Sequence, residues 1–260
     1  MNAKPKIGFL DSGVGGISVM THARDRLPGA EYLYYADTDN VPYGTKSREQ
    51  IIGYSCRAAE YLMDAGADAI VVACNTATSM AIEHLRRTYP IPFIGMEPAV
   101  KPAIQYYPHE NILVCATPVT IAGERLHNLI HHWADDEVQL SLVPTPGLVT
   151  LAENAQFDTD TVCAYLDTVI DSSKKYAAVV LGCTHFGYFR DSFRAFLGDV
   201  HIIDGTAGTV NRLIHVLDSI GRLPKDLAPG NVTYIRSGRL VEDEESLSFF
   251  RLLEQRSRML

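Results

Sequence analysis

Hydrophobic positions along this chain come in blocks. Short β-branched runs without polar alternation are each followed by a stretch whose apolar residues recur at helical spacing. In the first half the runs predict strands at Lys6–Leu10, Glu31–Ala36, Ala69 to Cys74 and Pro92–Met96. Helices are predicted up to about Arg26, over Lys46–Ala65 with a stripe of Ile52, Cys56, Ala59 and Met63, over Thr76–Thr88, and from Glu97-Pro98 to about Tyr106. An unalternating apolar strand is one covered on both faces, so the alternation of strand and helix predicts a parallel α/β architecture.

The order then repeats. A strand at Asn111–Cys115 ends at Ala116-Thr117, 105 residues after Asp11-Ser12. Thr117 fits an N-cap and Pro118 the first helical position. Val138–Val143 is the next strand, Pro144–Phe157 a loop with one short helix, and Asp160–Ser173 a helix. The strand Ala178 to Cys183 echoes Ala69 to Cys74 at an offset of 109, with a helix expected after it. Val200–Ile203 echoes Pro92–Met96, and Asp204-Gly205-Thr206 opens a helix to Ser219. A further strand, Val232–Arg236, precedes a helix with acidic residues at its start and basic ones at its end, as the helix dipole favours. This half-length period predicts two similar lobes, each a mostly parallel sheet flanked by helices, with the active site in the cleft between them. The expected division is 1–96 plus 207–260 for the first lobe and 97–206 for the second.

Composition narrows the class. The 47% apolar content is that of an ordinary globular protein, and no apolar run approaches the roughly 18 residues of a membrane span. Met1-Asn2-Ala3-Lys4-Pro5-Lys6 leads straight into a strand, so no secretory signal is expected. Five cysteines without a C-x-x-C pair predict reduced thiols and a cytoplasmic setting. A net charge of −8 argues against nucleic acid as a required partner, and no membrane partner is expected.

The chemistry concentrates at the ends of the matched strands. Cys74 and Cys183 each stand where a parallel strand gives way to a helix start, the edge at which open α/β sheets bind ligands. There the backbone N–H groups and the helix dipole stabilise thiolates, so both are read as functional acid/base groups. Cys56, Cys115 and Cys163 sit in apolar surroundings and are read as packing residues. His185, two residues after Cys183, is placed to relay or tune its proton. Three other signals are weak. Gly13-Val14-Gly15 has Ser18 where a dinucleotide fingerprint needs a third glycine, although Asp37 stands near the place of a ribose-binding acid. Asp37 and Asp39 suit a phosphatase poorly. His127 and His131 have ligand spacing but no third ligand. No cofactor and no metal are therefore expected.

Five motifs, Asp11-Ser12-Gly13-Val14-Gly15-Gly16, Tyr35-Ala36-Asp37, Pro42-Tyr43-Gly44, Ala73-Cys74-Asn75-Thr76-Ala77 and Leu181-Gly182-Cys183-Thr184-His185, together resemble glutamate racemases over nearly the whole chain. Departures at the Met96-Glu97-Pro98-Ala99-Val100-Lys101-Pro102 junction, Ala116, Thr145 and Asp204-Gly205-Thr206 spare the cysteine motifs. The resemblance implies a cofactor-independent racemase supplying D-glutamate for peptidoglycan, usually as a homodimer. It implies that Cys74 takes the proton of D-glutamate with Asp11 on its side, and that Cys183 takes the proton of L-glutamate with His185 on its side. Asn75, Thr76, Thr117 and Thr184 would hold the α-carboxylate. Ser12 and the Pro42-Tyr43-Gly44 turn would hold the side-chain carboxylate, with Thr120 and Glu153 also in the second lobe's part of the site. Alternative readings are a racemase of aspartate or another amino acid, a non-catalytic amino-acid-binding protein of the same fold, and a cysteine hydrolase using Cys183 and His185.

Overall fold

The structure, a computed structural model, describes residues 4–134 and 137–259; Met1-Asn2-Ala3, read above as part of the direct lead into a strand, lies outside them. In chain order the first elements are β1 (Lys6–Asp11), α1 (Ile17–Arg26), β2 (Glu31–Ala36), α2 (Arg48–Asp64), β3 (Ala69–Val72), α3 (Asn75–Thr88), β4 (Phe93–Gly95) and α4 (Val100–Tyr106). There follow β5 (Asn111–Ala116), α5 (Pro118–Ala122), α6 (Glu124–Trp133), β6 (Gln139–Pro144), α7 (Gly147–Glu153), α8 (Thr159–Val169), β7 (Ala178–Leu181), α9 (Arg190–Leu197) and β8 (His201–Asp204). The chain closes with α10 (Thr206–Ser219), β9 (Val232–Arg236), β10 (Arg239–Leu240) and α11 (Glu244–Met259).

The strands form two sheets. One has the order β10-β9-β2-β1-β3-β4 and the other β6-β5-β7-β8. All pairings but β9–β10 are parallel. The repeat seen in the sequence is thus a repeat of topology. β2-β1-β3-β4 and β6-β5-β7-β8 are the same four strands in the same order, and even the register matches, with Ile7 opposite Ala69 and Ile112 opposite Ala178. Such strands are buried on both faces, as their composition requires: Ala69–Val72 and Ala178–Leu181 are buried throughout. α2 and α3 cover one face of the first sheet. Its other face shares a continuous apolar core with α1, α10, α11 and one face of the second sheet. α4 and α6 complete the far side of the second sheet.

Three expected elements differ. The buried side of α2 is Ile51, Ser55, Ala58, Ala59 and Leu62, one residue round from the expected stripe, whose Ile52, Cys56 and Met63 are half-buried at its edge. Two stripes one residue apart have the same helical spacing, so periodicity alone does not choose between them. α8 stops at Val169, because the Asp171 carboxylate accepts from the backbone N–H and hydroxyl of Ser173 and makes a local turn instead. After β7 the chain enters a 3-10 helix, Thr184–Phe189, before α9 begins.

Cys115 lies in β5 with no exposure, and Cys163 donates to the carbonyl of Ser192 at 3.6 Å. Replacing Cys115 by alanine is expected to lower unfolding stability by about 1–2 kcal/mol, the cost of a small cavity, while leaving turnover intact. Chemical denaturation and an activity assay on the same preparation check both.

Candidate active site

The site is built from the strand ends that face each other across the two sheets. β1 ends at Asp11, and the turn Ser12–Gly16 leads into α1. β3 is followed by Cys74, which serves as N-cap of α3: the backbone N–H of Ala77 donates to its Sγ at 3.4 Å. Its thiol in turn donates to Ser12 Oγ at 3.5 Å. In the second lobe β5 is followed by Thr117, N-cap of α5, whose Oγ1 accepts from Thr120 N at 3.3 Å. β7 is followed by Gly182 and Cys183. Gly182 has to be a glycine, since a Cβ there would come within 2.9 Å of Ala116 Cβ on the neighbouring strand.

Cross-lobe bonds bring these pieces together. Thr184 Oγ1 donates to Asp11 Oδ2 at 3.1 Å. Thr76 Oγ1 lies 2.9 Å from Thr117 Oγ1 and 3.2 Å from Thr120 Oγ1, so three hydroxyls from α3 and α5 form one cluster. Gly44 backs onto Thr117, where a Cβ would meet the Thr117 Cβ at 2.9 Å. Asn75 is buried, and both its amide atoms lack a protein partner. A buried amide left unpaired is costly, so both its amide atoms are free to bond a polar group from outside the protein.

His185 stands between the second thiol and a carboxylate. Its Nδ1 is 3.6 Å from Cys183 Sγ, and its Nε2 is 2.6 Å from Glu153 Oε1. Glu153, at the end of α7, also accepts from the backbone N–H of Val14 at 2.8 Å. The contacts of its carboxylate are thus to the imidazole and to the first lobe's turn. Gly13 and Gly15 permit this: a Cβ on Gly13 would overlap the Glu153 carboxylate, and one on Gly15 would come within 2.6 Å of the His185 backbone nitrogen.

The electrostatics correct one expectation. Burial, aided by the Asp11 charge, pushes the Cys74 thiol up to about 12, and its hydrogen bonds with Ser12 and with the Ala77 N–H do not offset it. One backbone N–H and one hydroxyl return less than the water lost around a buried thiolate. Cys183 also contributes to this rise, so the two sulfurs share one electrostatic neighbourhood. Nor does Cys183 stand before an α-helix; its polar neighbour is His185. Burial raises Asp11 to about 6, against the pull of His185 and the Gly13 N–H. Burial alone would depress His185, but its bonds and charge interactions with Cys183 and Glu153 outweigh this and hold it well above its ordinary value.

The sequence missed the tyrosines that brace the Ser12–Gly16 turn. Tyr34 donates to the Gly13 carbonyl and Tyr188 to the Val14 carbonyl, each at 2.8 Å. In the sequence both are simply aromatic residues in apolar surroundings, a pattern that carries no positional signal. His127 and His131 lie exposed on α6, and among the described residues no three His, Cys, Asp or Glu side chains are grouped as metal ligands.

Comparison with known proteins agrees with this architecture. The family model of Asp/Glu/hydantoin racemases matches residues 18–213. A glutamate racemase from Halothermothrix orenii is 45% identical, over 93% of this chain and 96% of its own. Glutamate racemase 2 of Bacillus subtilis is 44% identical, over 95% and 94%. Among solved structures, Escherichia coli glutamate racemase in complex with L-glutamate and an activator superposes with a TM-score of 0.83 at 26% identity, covering 98% of this chain and 96% of that one. A matched family model spanning most of the chain, relatives more than 40% identical over more than nine-tenths of it and a common fold together place this chain in the Asp/Glu/hydantoin racemase family, among the glutamate racemases.

Proposed function

We propose that this protein interconverts L- and D-glutamate by moving a proton at Cα between Cys74 and Cys183. The observation that carries the reading is the pair of buried thiols after equivalent strands of two repeats, Cys183 3.6 Å from His185 and Cys74 bonded to Ser12, the residue after Asp11. In one direction the Cys183 thiolate takes the Cα proton of L-glutamate. The Cys74 thiol then returns a proton to the opposite face and is left as a thiolate. D-glutamate reverses the roles. One thiolate and one thiol exist before and after, so each turnover leaves the pair inverted. His185 resets Cys183, and Asp11, reached through the Ser12 turn, resets Cys74.

Carbanion character at Cα is spread onto the α-carboxylate, so donors held in place there lower the barrier. Asn75, Thr76, Thr117 and Thr184, with Thr120 behind them, supply amide and hydroxyl donors on both lobes. Ser12 and the backbone of the Pro42-Tyr43-Gly44 turn serve the side-chain carboxylate. Glu153 orients His185. Relatives named as glutamate racemases, one solved with L-glutamate, support glutamate as the substrate. The division into 1–96 plus 207–260 and 97–206, a homodimeric state, a cytoplasmic location and a role in supplying D-glutamate for peptidoglycan belong to the same reading.

Circular dichroism of pure L- and D-glutamate and L- and D-aspartate, with a chelator and no added cofactor, tests it. Both glutamate signals are expected to decay to zero, because enantiomers are equal in energy, while aspartate holds. Decay with aspartate alone would reassign the substrate, and activity restored only by pyridoxal phosphate or zinc would end the cofactor-free reading.

A further inference from the structure

The turn that approaches the second lobe at Thr117 is the 3-10 segment Tyr43–Thr45, and its side-chain anchor is a residue that the racemisation chemistry leaves unused. Asp37 is buried at the end of β2. Its backbone N–H donates to the carbonyl of Asp11 at 3.0 Å, tying it to the strand end that carries the catalytic carboxyl. Its carboxylate collects three donors. Tyr43 Oη–H donates to Oδ2 at 2.6 Å, Asn40 Nδ2 approaches both oxygens at 2.9 and 3.0 Å, and Ser237 Oγ donates to Oδ1 at 3.0 Å.

Tyr43 is itself only 1% exposed, so its ring points into the lobe and packs against Tyr54 at 5.6 Å between centroids. Burial first, and then the Asp37 charge, hold its phenol above the ordinary range, so it remains a donor. What the turn offers the cleft is then its backbone and Gly44. Ser237 comes from the turn between β9 and β10, where Ser237 has φ 45° and Gly238 φ 84°. Arg239, which opens β10, pairs with Asp39 at 2.8 Å and leaves the Asp37 carboxylate to neutral donors.

From this geometry we propose that Asp37 is a positioning residue for the substrate-binding turn: through Tyr43 it sets the height of the Tyr43-Gly44 backbone in the cleft, and through Ser237 it uses the C-terminal strand pair as the backstop. The inference rests on the racemase reading above and adds a residue that never touches substrate. The turn binds glutamate equally before and after proton transfer, so loosening it costs uniform binding and raises KM rather than lowering kcat.

The test is a double-mutant cycle on glutamate racemisation with Asp37→Asn, Tyr43→Phe and the double variant, alongside Ser237→Ala and wild type. Each of the first two is expected to raise KM on the order of tenfold, the scale of one hydrogen bond to a charged group. kcat should stay within about twofold, and the double variant should be no worse than the poorer single one. Ser237→Ala should raise KM by about two- to threefold. If Asp37→Asn fails to fold, Tyr43→Phe and Ser237→Ala carry the prediction alone, since both remove a single hydroxyl. Additive effects of Asp37→Asn and Tyr43→Phe, a fall in kcat at constant KM, or a lowered melting temperature with unchanged KM would overturn the proposal. A wild type that does not racemise glutamate would overturn the racemase reading and this inference with it, whereas an active wild type with kinetically silent variants would overturn the inference alone.

Discussion

Alanine at Cys74 or at Cys183 is expected to abolish racemisation in both directions, with a loss of at least about four orders of magnitude in kcat/KM, at the upper end of what one positioned proton-transfer group contributes. In the proposed two-base scheme either direction needs one group to remove the Cα proton and the other to return one from the opposite face. Loss of one sulfur therefore stops both half-reactions. The symmetry of the product makes this sharper: enantiomers have an equilibrium constant of one, so no variant can lower kcat/KM in one direction only. Wild type in deuterium oxide should place solvent deuterium on Cα of the product enantiomer, and its rate should show a bell-shaped pH profile whose apparent values belong to the thiol pair. Retained turnover in either alanine variant, or product that keeps its original Cα hydrogen, would defeat the two-base scheme.

Asp11→Asn should separate function from stability. Asp11 has no exposure, and burial raises it from 3.8 to about 6. The folded protein therefore binds this proton more tightly than the unfolded chain, and stability falls as the pH rises from about 4 to about 6. Once ionised at neutral pH, the carboxyl costs on the order of 2–3 kcal/mol. Asparagine keeps an acceptor for the Gly13 N–H and faces the Thr184 hydroxyl with a group able to donate. The variant is therefore expected to be more stable than wild type at pH 7 to 8, by up to that amount, and to lose the advantage near pH 4. Its kcat/KM should fall about a hundredfold, because Cys74, already held as a thiol by burial, loses its nearby proton acceptor. Thermal melts across this pH range, with a rate assay at each point, read both effects. Destabilisation at pH 7 would show that the carboxyl earns its place structurally instead.

Much of this was legible in the residues themselves. Unalternating runs such as Ala69–Val72 and Ala178–Leu181 have no polar face to show to water, so they had to be interior parallel strands. Their repetition at an offset of 109 made two similar sheets the natural packing, and the sheet orders agree. A cysteine directly after each run had to lie at the carboxyl edge of its sheet, because chain direction in a parallel sheet puts all such ends on one side. The resemblance of five short motifs pointed to the family in which the comparisons place the chain.

Local sequence determined which segments became strands, where the sharp turns fell and which two thiols met the edge, since these depend on periodicity, on caps and on glycines within a few residues. Tertiary structure decided the rest. Which of two adjacent stripes of α2 faces the sheet depends on what lies opposite, and the bracing of the Gly13 and Val14 carbonyls by Tyr34 and Tyr188 joins residues far apart in the chain. The helix start of Cys74 predicts a thiol eased toward ionisation, but the surrounding fold removes the water that a thiolate needs, and that loss exceeds what the Ala77 N–H and Ser12 return. Charge is governed by everything within a few ångströms in space, and a sequence records only what is near along the chain.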